Sequence, residues 1–286
     1  MDPQPAPSLP AGVQSRFVQV DGIRTHYLEA GSPARERDPV LLVHSGEYGA
    51  RAEFSWRYNI AELARHFHVL APDLPGFGRT ELLYNWSDPN GFRPRHLRRF
   101  MEVVGIGPAH FIGNSYGGSL ALQLATDPSW PIRSVVAVSG GGLAPDNDAR
   151  KVLTGYTGKR DEMREILRVL FFDARWWADA VVEERWRASR EPGAWEACAA
   201  PRLAPEGEVR GFRVDRPDNT RIRCPVLVVA GENDLLRLPN YWKELVEQIP
   251  RSTAKVFERS RHCSHIEHAS DFNRLAIEFL TGPACQ

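Results

Sequence analysis

Three side chains of this chain have the types and order needed for nucleophilic chemistry: Ser115, Asp234 and His262. A serine hydroxyl attacks a carbonyl only when a base takes its proton, and that base needs a third group to orient it. Ser115 lies in Gly113-Asn114-Ser115-Tyr116-Gly117-Gly118, directly after the apolar run Ala109-His110-Phe111-Ile112. Glycines two residues before and two after the serine suit a sharp strand-to-helix turn, where side chains would collide with the facing element. Ser119 to Ala125 reads as the following helix. Its N-terminus is aimed at the serine, where its dipole and amides would stabilise developing negative charge. Asp234 follows the run Val226 to Ala230 closely enough to rise from a strand tip, with Glu232 as the competing carboxylate. His262 is the first histidine after Ala254-Lys255-Val256-Phe257. An anionic intermediate would rest on two backbone amides. One is that of Tyr116; the other comes from the loop His44 to Ala50, where Gly46 permits close approach.

These groups need a sheet to position them. Phe17 to Val20, the pair Asp21-Gly22, and Ile23 to Leu28 read as a β-hairpin. Val40 to Val43, His68 to Ala71, Val135 to Val138 and Val226 to Ala230 are continuous apolar runs without alternation, as strands covered on both faces are. Helical patterns such as Ile60 to Ala64 and Leu97 to Val104 separate them, which predicts a mostly parallel sheet with an antiparallel edge at the hairpin. Residues 1–13 read as a disordered tail. From 143 to 214 no buried-strand run occurs. Asp161 to Leu170 and Trp176 to Arg190 are amphipathic instead, so this stretch reads as a helical insertion between core segments 1–142 and 215–286. Its aromatics, including Phe171, Phe172, Trp176, Trp177, Trp186 and Trp195, read mainly as packing residues, with a minority lining a pocket between insertion and core.

Composition narrows the partners. With 36 basic and 36 acidic residues among 286, the chain has no electrostatic appetite for nucleic acid or an anionic membrane. The arginines of Arg93-Pro94-Arg95-His96-Leu97-Arg98-Arg99 fall at helical spacing and read as a solvated helix face. No segment approaches the roughly 18 apolar residues of a membrane span, and the N-terminus has no signal-peptide pattern. Cys198, Cys224, Cys263 and Cys285 form no Cys-x-x-Cys pair and read as free thiols in a reducing cytoplasm. His262, His265 and His268 cluster without a completing acid or cysteine set, so no metal is expected.

At this point the chain resembles the α/β-hydrolase superfamily, and within it the meta-cleavage-product hydrolases, which split carbon–carbon bonds. The likeness runs from about Val40 to Leu280. It is carried by the GNSYGG turn, by Ala71-Pro72-Asp73-Leu74-Pro75-Gly76-Phe77-Gly78, by His265-Ile266-Glu267-His268 with Asp271-Phe272-Asn273, and by Val182-Glu183-Glu184-Arg185. The resemblance implies a mostly parallel eight-stranded sheet with an inserted helical cap. It also implies a Ser115–Asp234–His262 triad and oxyanion donors at Gly46 and Tyr116. Arg185 matches a cap arginine facing the substrate's carboxylate and keto–enol end, for which a bidentate guanidinium is suited. Asn114 matches a polar residue beside the site. The family's glycine- and proline-rich oxyanion loop is interrupted here by Ser45, Glu47 and Tyr48. Ser55 stands where a substrate-binding asparagine is usual, and Cys263 replaces a tryptophan. A charged Glu47 facing the pocket would repel an anionic dienoate.

The expected function is cofactor-free hydrolysis of a small carbonyl compound, at a carbon–carbon bond of a meta-cleavage-type product. An esterase or lactonase acting on an apolar ester is the alternative, and a ligand-binding protein on the same fold is a third. Serine rather than aspartate at the turn argues against haloalkane dehalogenase or epoxide hydrolase chemistry. The expected partners are a small-molecule substrate and, at most, a second copy of the chain.

Overall fold

Asp21 and Gly22 both take positive φ (49° and 85°), the left-handed geometry of a tight hairpin. They join β1 (Val13–Val20) to β2 (Ile23–Ala30) in antiparallel register from Val20↔Ile23 to Val13↔Ala30. The computed structural model describes residues 9–33, 38–202 and 217–285. β1 thus begins earlier than the Phe17 expected. Leu9 packs against a core face, so 9–13 is not a loose tail, and the rest of that expectation (1–8) lies outside the described residues.

The apolar runs become β3 (Pro39–Val43), β4 (His68–Pro72), β5 (Ala109–Asn114), β6 (Ile132–Val138), β7 (Val226–Gly231) and β8 (Ser252–Phe257). The eight-stranded sheet has the order β1-β2-β4-β3-β5-β6-β7-β8. Its first two pairings are antiparallel and those from β4 to β8 parallel. Successive strand residues feed opposite faces: Leu41 and Val43 join one apolar cluster, Val40 and Leu42 the other. Covering them are α1 (Ala52–Trp56), α2 (Ile60–Leu63), α3 (Phe92–Val103) and α4 (Tyr116–Ala125). After the insertion come α9 (Tyr241–Gln248), α10 (Ser264–Glu267) and α11 (Ala269–Thr281). α3, α4 and α9 lie on the face of Leu41; α1, α2 and α11 lie on the face of Val40.

The chain leaves β3 toward β4 on one side and returns to β5 on the other. Between the carboxyl ends of β3 and β5 such a reversal opens a crevice, the place where open α/β sheets bind ligands. The loop bearing Gly46 and the turn bearing Ser115 are the two segments that leave those strand ends.

The insertion consists of α5 (Asp148–Thr154), α6 (Arg160–Leu170), α7 (Asp179–Ser189) and α8 (Ala194–Ala199); its expected stretch 203–214 lies outside the described residues. α6 buries Met163, Ile166, Leu167, Val169 and Leu170, as its pattern requires. The single helix expected from Trp176 to Arg190 is two pieces: a 3-10 turn, Ala174–Trp177, and α7. They are separated by Ala178, whose ψ of 158° is extended. A second correction concerns α3. Arg93 and His96 lie on its buried face with Leu97, Phe100 and Met101, while Arg95 and Arg99 stay exposed. The positions 93, 96, 97, 100 and 101 follow the helical period, so one arginine of the run shares the apolar stripe. Among the described residues no helix is long and apolar enough to cross a membrane.

Candidate active site

Ser115 is held at φ 54° and ψ −112°, a conformation rare for a residue with a Cβ. The turn is over-determined by its surroundings. The Ser115 amide donates to Val138 O of the neighbouring strand (2.8 Å), and Ser115 O accepts the first amide of α4, from Ser119 (2.9 Å). A Cβ on Gly113 would sit 2.3 Å from Gly117 C, and one on Gly117 would sit 2.2 Å from Val43 O. Both glycines are therefore steric necessities. Gly46 is equally close-fitting: a Cβ there would lie 3.1 Å from Tyr116 Cβ, so the backbones of Gly46 and Tyr116 are neighbours beside Ser115.

Asp234 stands three residues past β7, with its side chain only 2 % exposed, and its Oδ1 accepts the Leu236 amide (2.9 Å). Both carboxylate oxygens meet His262 Nδ1, at 3.0 and 2.8 Å. Glu232, the competing carboxylate, is exposed. Burial opposes ionisation of Asp234, but the facing His262, its hydrogen bond and the charge of Arg237 outweigh this and hold the acid below its ordinary value. A carboxylate can only accept, so Nδ1 carries the proton and Nε2 keeps its lone pair. Nε2 is buried with no hydrogen-bond partner among the described residues, Ser115 Oγ included. The backbone of His262 is fastened by two neighbours, Asn114 and Leu170. Asn114 Nδ2 donates to His262 O (3.2 Å) and to Val138 O (3.3 Å), and the His262 amide donates to Leu170 O of α6 (3.0 Å).

The expected substrate contacts turn out differently. Glu47 and Arg185 meet each other: Arg185 Nη2 lies 2.5 Å from Glu47 Oε1, each side chain 7 % exposed. The guanidinium also covers the Phe54 ring at 4.9 Å. Burial disfavours the Glu47 charge, but Arg185 and a hydrogen bond from Ser45 overcome it and keep the acid below its ordinary value. Glu47 is thus an ionised partner rather than a bare repelling charge, and Arg185 is already occupied. Asn114 is spent on two carbonyls. Cys263 is buried in the core cluster, its thiol pushed well above the ordinary value by burial. Ser55 is buried too, its carbonyl bonded by His265 Nε2 (2.9 Å). The three clustered histidines diverge, since His268 stacks on Phe257. Among the described residues no group of acids, cysteines and histidines converges on a metal position.

Supporting residues escaped the sequence reading. Buried Asp73 accepts the amides of Ala52 (2.7 Å) and Arg79 (2.9 Å) and pairs with His26 Nδ1 (2.7 Å). His44 Nε2 accepts the Leu74 amide (2.9 Å), which ties the Gly46 loop to the segment after β4. Arg93 donates to Pro75 O (3.0 Å) and lies under the Tyr116 ring at 5.7 Å. The signal for these was the Ala71 to Gly78 segment itself, whose aspartate precedes two glycines.

The chain is similar to known proteins along most of its length. The profile of the alpha/beta hydrolase family matches residues 40–275. A 2-hydroxymuconate semialdehyde hydrolase of Pseudomonas sp. (strain CF600) is 30% identical over 97% of this chain and 96% of its own. A dihydrolipoyllysine-residue acetyltransferase component of an acetoin cleaving system from Cupriavidus necator is 33% identical over 95% of this chain and 70% of its own. Among solved structures, a meta-cleavage product hydrolase from Pseudomonas fluorescens IP01 superposes with a TM-score of 0.83 at 28% identity, covering 93% of this chain and 97% of that one.

Proposed function

Because the chain belongs to the alpha/beta hydrolase family, we propose that Ser115, His262 and Asp234 form a hydrolytic triad that cleaves a carbon–carbon bond beside a ketone in a meta-cleavage-type product. The observation that carries this reading is the buried Asp234–His262 pair, whose loop is tied by Asn114 to the strained turn that bears Ser115 at a helix N-terminus. His262 Nε2 takes the proton of Ser115 Oγ, or of a water in its place, as oxygen adds to the carbonyl carbon. The resulting oxyanion rests on the amides of Gly46 and Tyr116. On collapse the neighbouring carbon leaves as a carbanion stabilised by conjugation, and the proton held by His262 quenches it. On the serine route water then releases the acid from the acyl-enzyme; on the water route the acid forms at collapse; by either route ketone and one water become a carboxylic acid and a protonated carbon fragment. Names of the relatives support this substrate class, as does the match along nearly the whole chain.

A second reading, an esterase or lactonase using the same residues, is favoured by the Glu47–Arg185 pair, which leaves Arg185 without a net charge to offer a dienoate. Both readings are cofactor-free and take a small-molecule substrate. A cytoplasmic location accompanies them, supported by four free cysteines. The deciding experiment compares turnover of a 2-hydroxy-6-oxo-dienoate with that of short aryl esters, with Ser115→Ala as control. An ester preference of about a hundredfold in kcat/KM, near 2.7 kcal/mol of transition-state stabilisation, would overturn the carbon–carbon reading.

A further inference from the structure

His262 itself is bonded to Asn114 and Leu170, but the residues on either side of it hang on a further support. Glu267 ends α10, five residues after His262, and is only 9 % exposed. Its carboxylate accepts four hydrogen bonds, two on each oxygen. Oε2 accepts the Arg261 amide (2.8 Å) and the Ser260 hydroxyl (3.1 Å). Oε1 accepts the amides of Phe172 (2.7 Å) and Asp173 (3.2 Å), just past the end of α6. The Glu267 amide in turn donates to Cys263 O (3.0 Å). Side chain and backbone of one residue therefore bracket His262, at Arg261 before it and Cys263 after it.

The bracketed loop also carries the partner of the base. Ser260 O accepts the amide of Asn233 (2.8 Å), the neighbour of Asp234. A Cβ on Gly231 would lie 1.9 Å from Arg261 O, so the loop rests directly on the end of β7. A buried carboxylate is tolerated when its oxygens are satisfied, and here donors from two segments satisfy both. The Oε1 bonds pin the carboxylate to the end of α6, so Oε2 cannot follow Ser260 and Arg261 if they drift. We infer that Glu267 is a positioning residue for the reaction: it fixes the loop that carries His262 and so sets where Nε2 stands relative to Ser115. The inference rests on the reading of His262 as the base and adds what aims it. Glu267 acts through Arg261 and Ser260 rather than on a substrate. Aim matters at this scale, since a misplacement of about 1 Å costs on the order of a hundredfold in rate. A glutamine at this position offers an oxygen to one pair of donors and an NH2 to the other, where donor meets donor.

The test follows labelling of Ser115 by a fluorophosphonate, which reads the serine whatever the substrate, and hydrolysis of 4-nitrophenyl acetate. Both rates are taken per folded protein, with the folded fraction read from urea unfolding. In Glu267→Gln protein both fall at least about tenfold, the ester through kcat with KM within about threefold. The deficit shrinks as pH rises toward about 10, because hydroxide replaces a misplaced base; a folding defect alone has no such compensation. Ser260→Ala removes one donor and leaves the carboxylate in place. It shows the same signature at about threefold, and it decides alone where Glu267→Gln does not fold. Labelling at the parent's rate in the deciding variant, or a deficit equal at every pH, overturns the inference. His262→Ala separates the two levels. Labelling that survives it overturns the triad itself, whereas labelling lost there and unchanged in the deciding variant overturns only the role of Glu267.

Discussion

Replacing Glu47 by Gln should destabilise the protein far more than the pair it breaks contributes. At the observed 2.5 Å separation the attraction is about 7 kcal/mol with an effective dielectric near 20. Desolvation of two ions, several kcal/mol each, offsets most of it. Removing one partner leaves the other charge buried and alone. Arg185 would then keep only the Phe54 face, since its Nε has no partner already. The expected loss for Glu47→Met or Arg185→Met, as for Glu47→Gln, is about 3–5 kcal/mol, whereas Glu47→Met with Arg185→Met together should lie within about 2 kcal/mol of the parent. Urea unfolding followed by tryptophan fluorescence, with Cm and m for the four proteins of the cycle, measures the coupling. The pH dependence carries a sign as well. The folded acid sits below its ordinary value of 4.5, so the stabilisation is present above that pH and is lost as pH falls through the lower folded value. Glu47→Gln should abolish this contribution. Single losses below about 0.5 kcal/mol, or losses that simply add in the double variant, would refute the reasoning.

Ser115→Ala should lower kcat by about 10⁴-fold or more while leaving substrate affinity within roughly threefold; single-turnover kinetics and binding titrations decide, and residual activity within tenfold would remove the nucleophile assignment. Gly117→Ala drives a Cβ to 2.2 Å from Val43 O, so a loss of about 3 kcal/mol in urea unfolding is expected, together with activity. Asp73→Asn forces an amide into a site that collects two backbone amides and His26, and should also cost about 3 kcal/mol. Asp73 lies below its ordinary 3.8 despite burial, so the parent loses stability as pH falls below that value, and the Asn variant should show a flatter acid limb.

The strands and the turn bearing Ser115 were legible because their causes are local. Val40 to Val43 and Val226 to Ala230 must be covered on both faces, and Gly113 and Gly117 mark a turn that tolerates no side chain. The Ser–Asp–His order was legible because each residue sits just past its strand, where chain direction alone aims it at the crevice. Side-chain partnerships across the cap seam were not legible. Nothing in Glu47 or Arg185 separately says that they meet, because the contact joins residues 138 positions apart. Arg93 misled for a related reason: its charge suggested solvent, while its place in the helical period put it under Tyr116. The buried Asp73 network belongs to the same class, since a carboxylate that gathers two backbone amides and an imidazole from three segments has no linear pattern.

Leu170 O, the last carbonyl of α6, accepts the amides of both His262 (3.0 Å) and Cys263 (3.3 Å), and Glu267 returns the bond to the Phe172 amide (2.7 Å). The insertion and the loop bearing the base therefore share one joint. A cap swinging outward as a rigid lid must break these bonds or carry His262 with it. Either way, on the proposed mechanism such a motion would part His262 from Ser115. Gate and base would then keep a common clock: an open chamber would be an idle one, with hydrolysis confined to the interval in which the visitor is already enclosed.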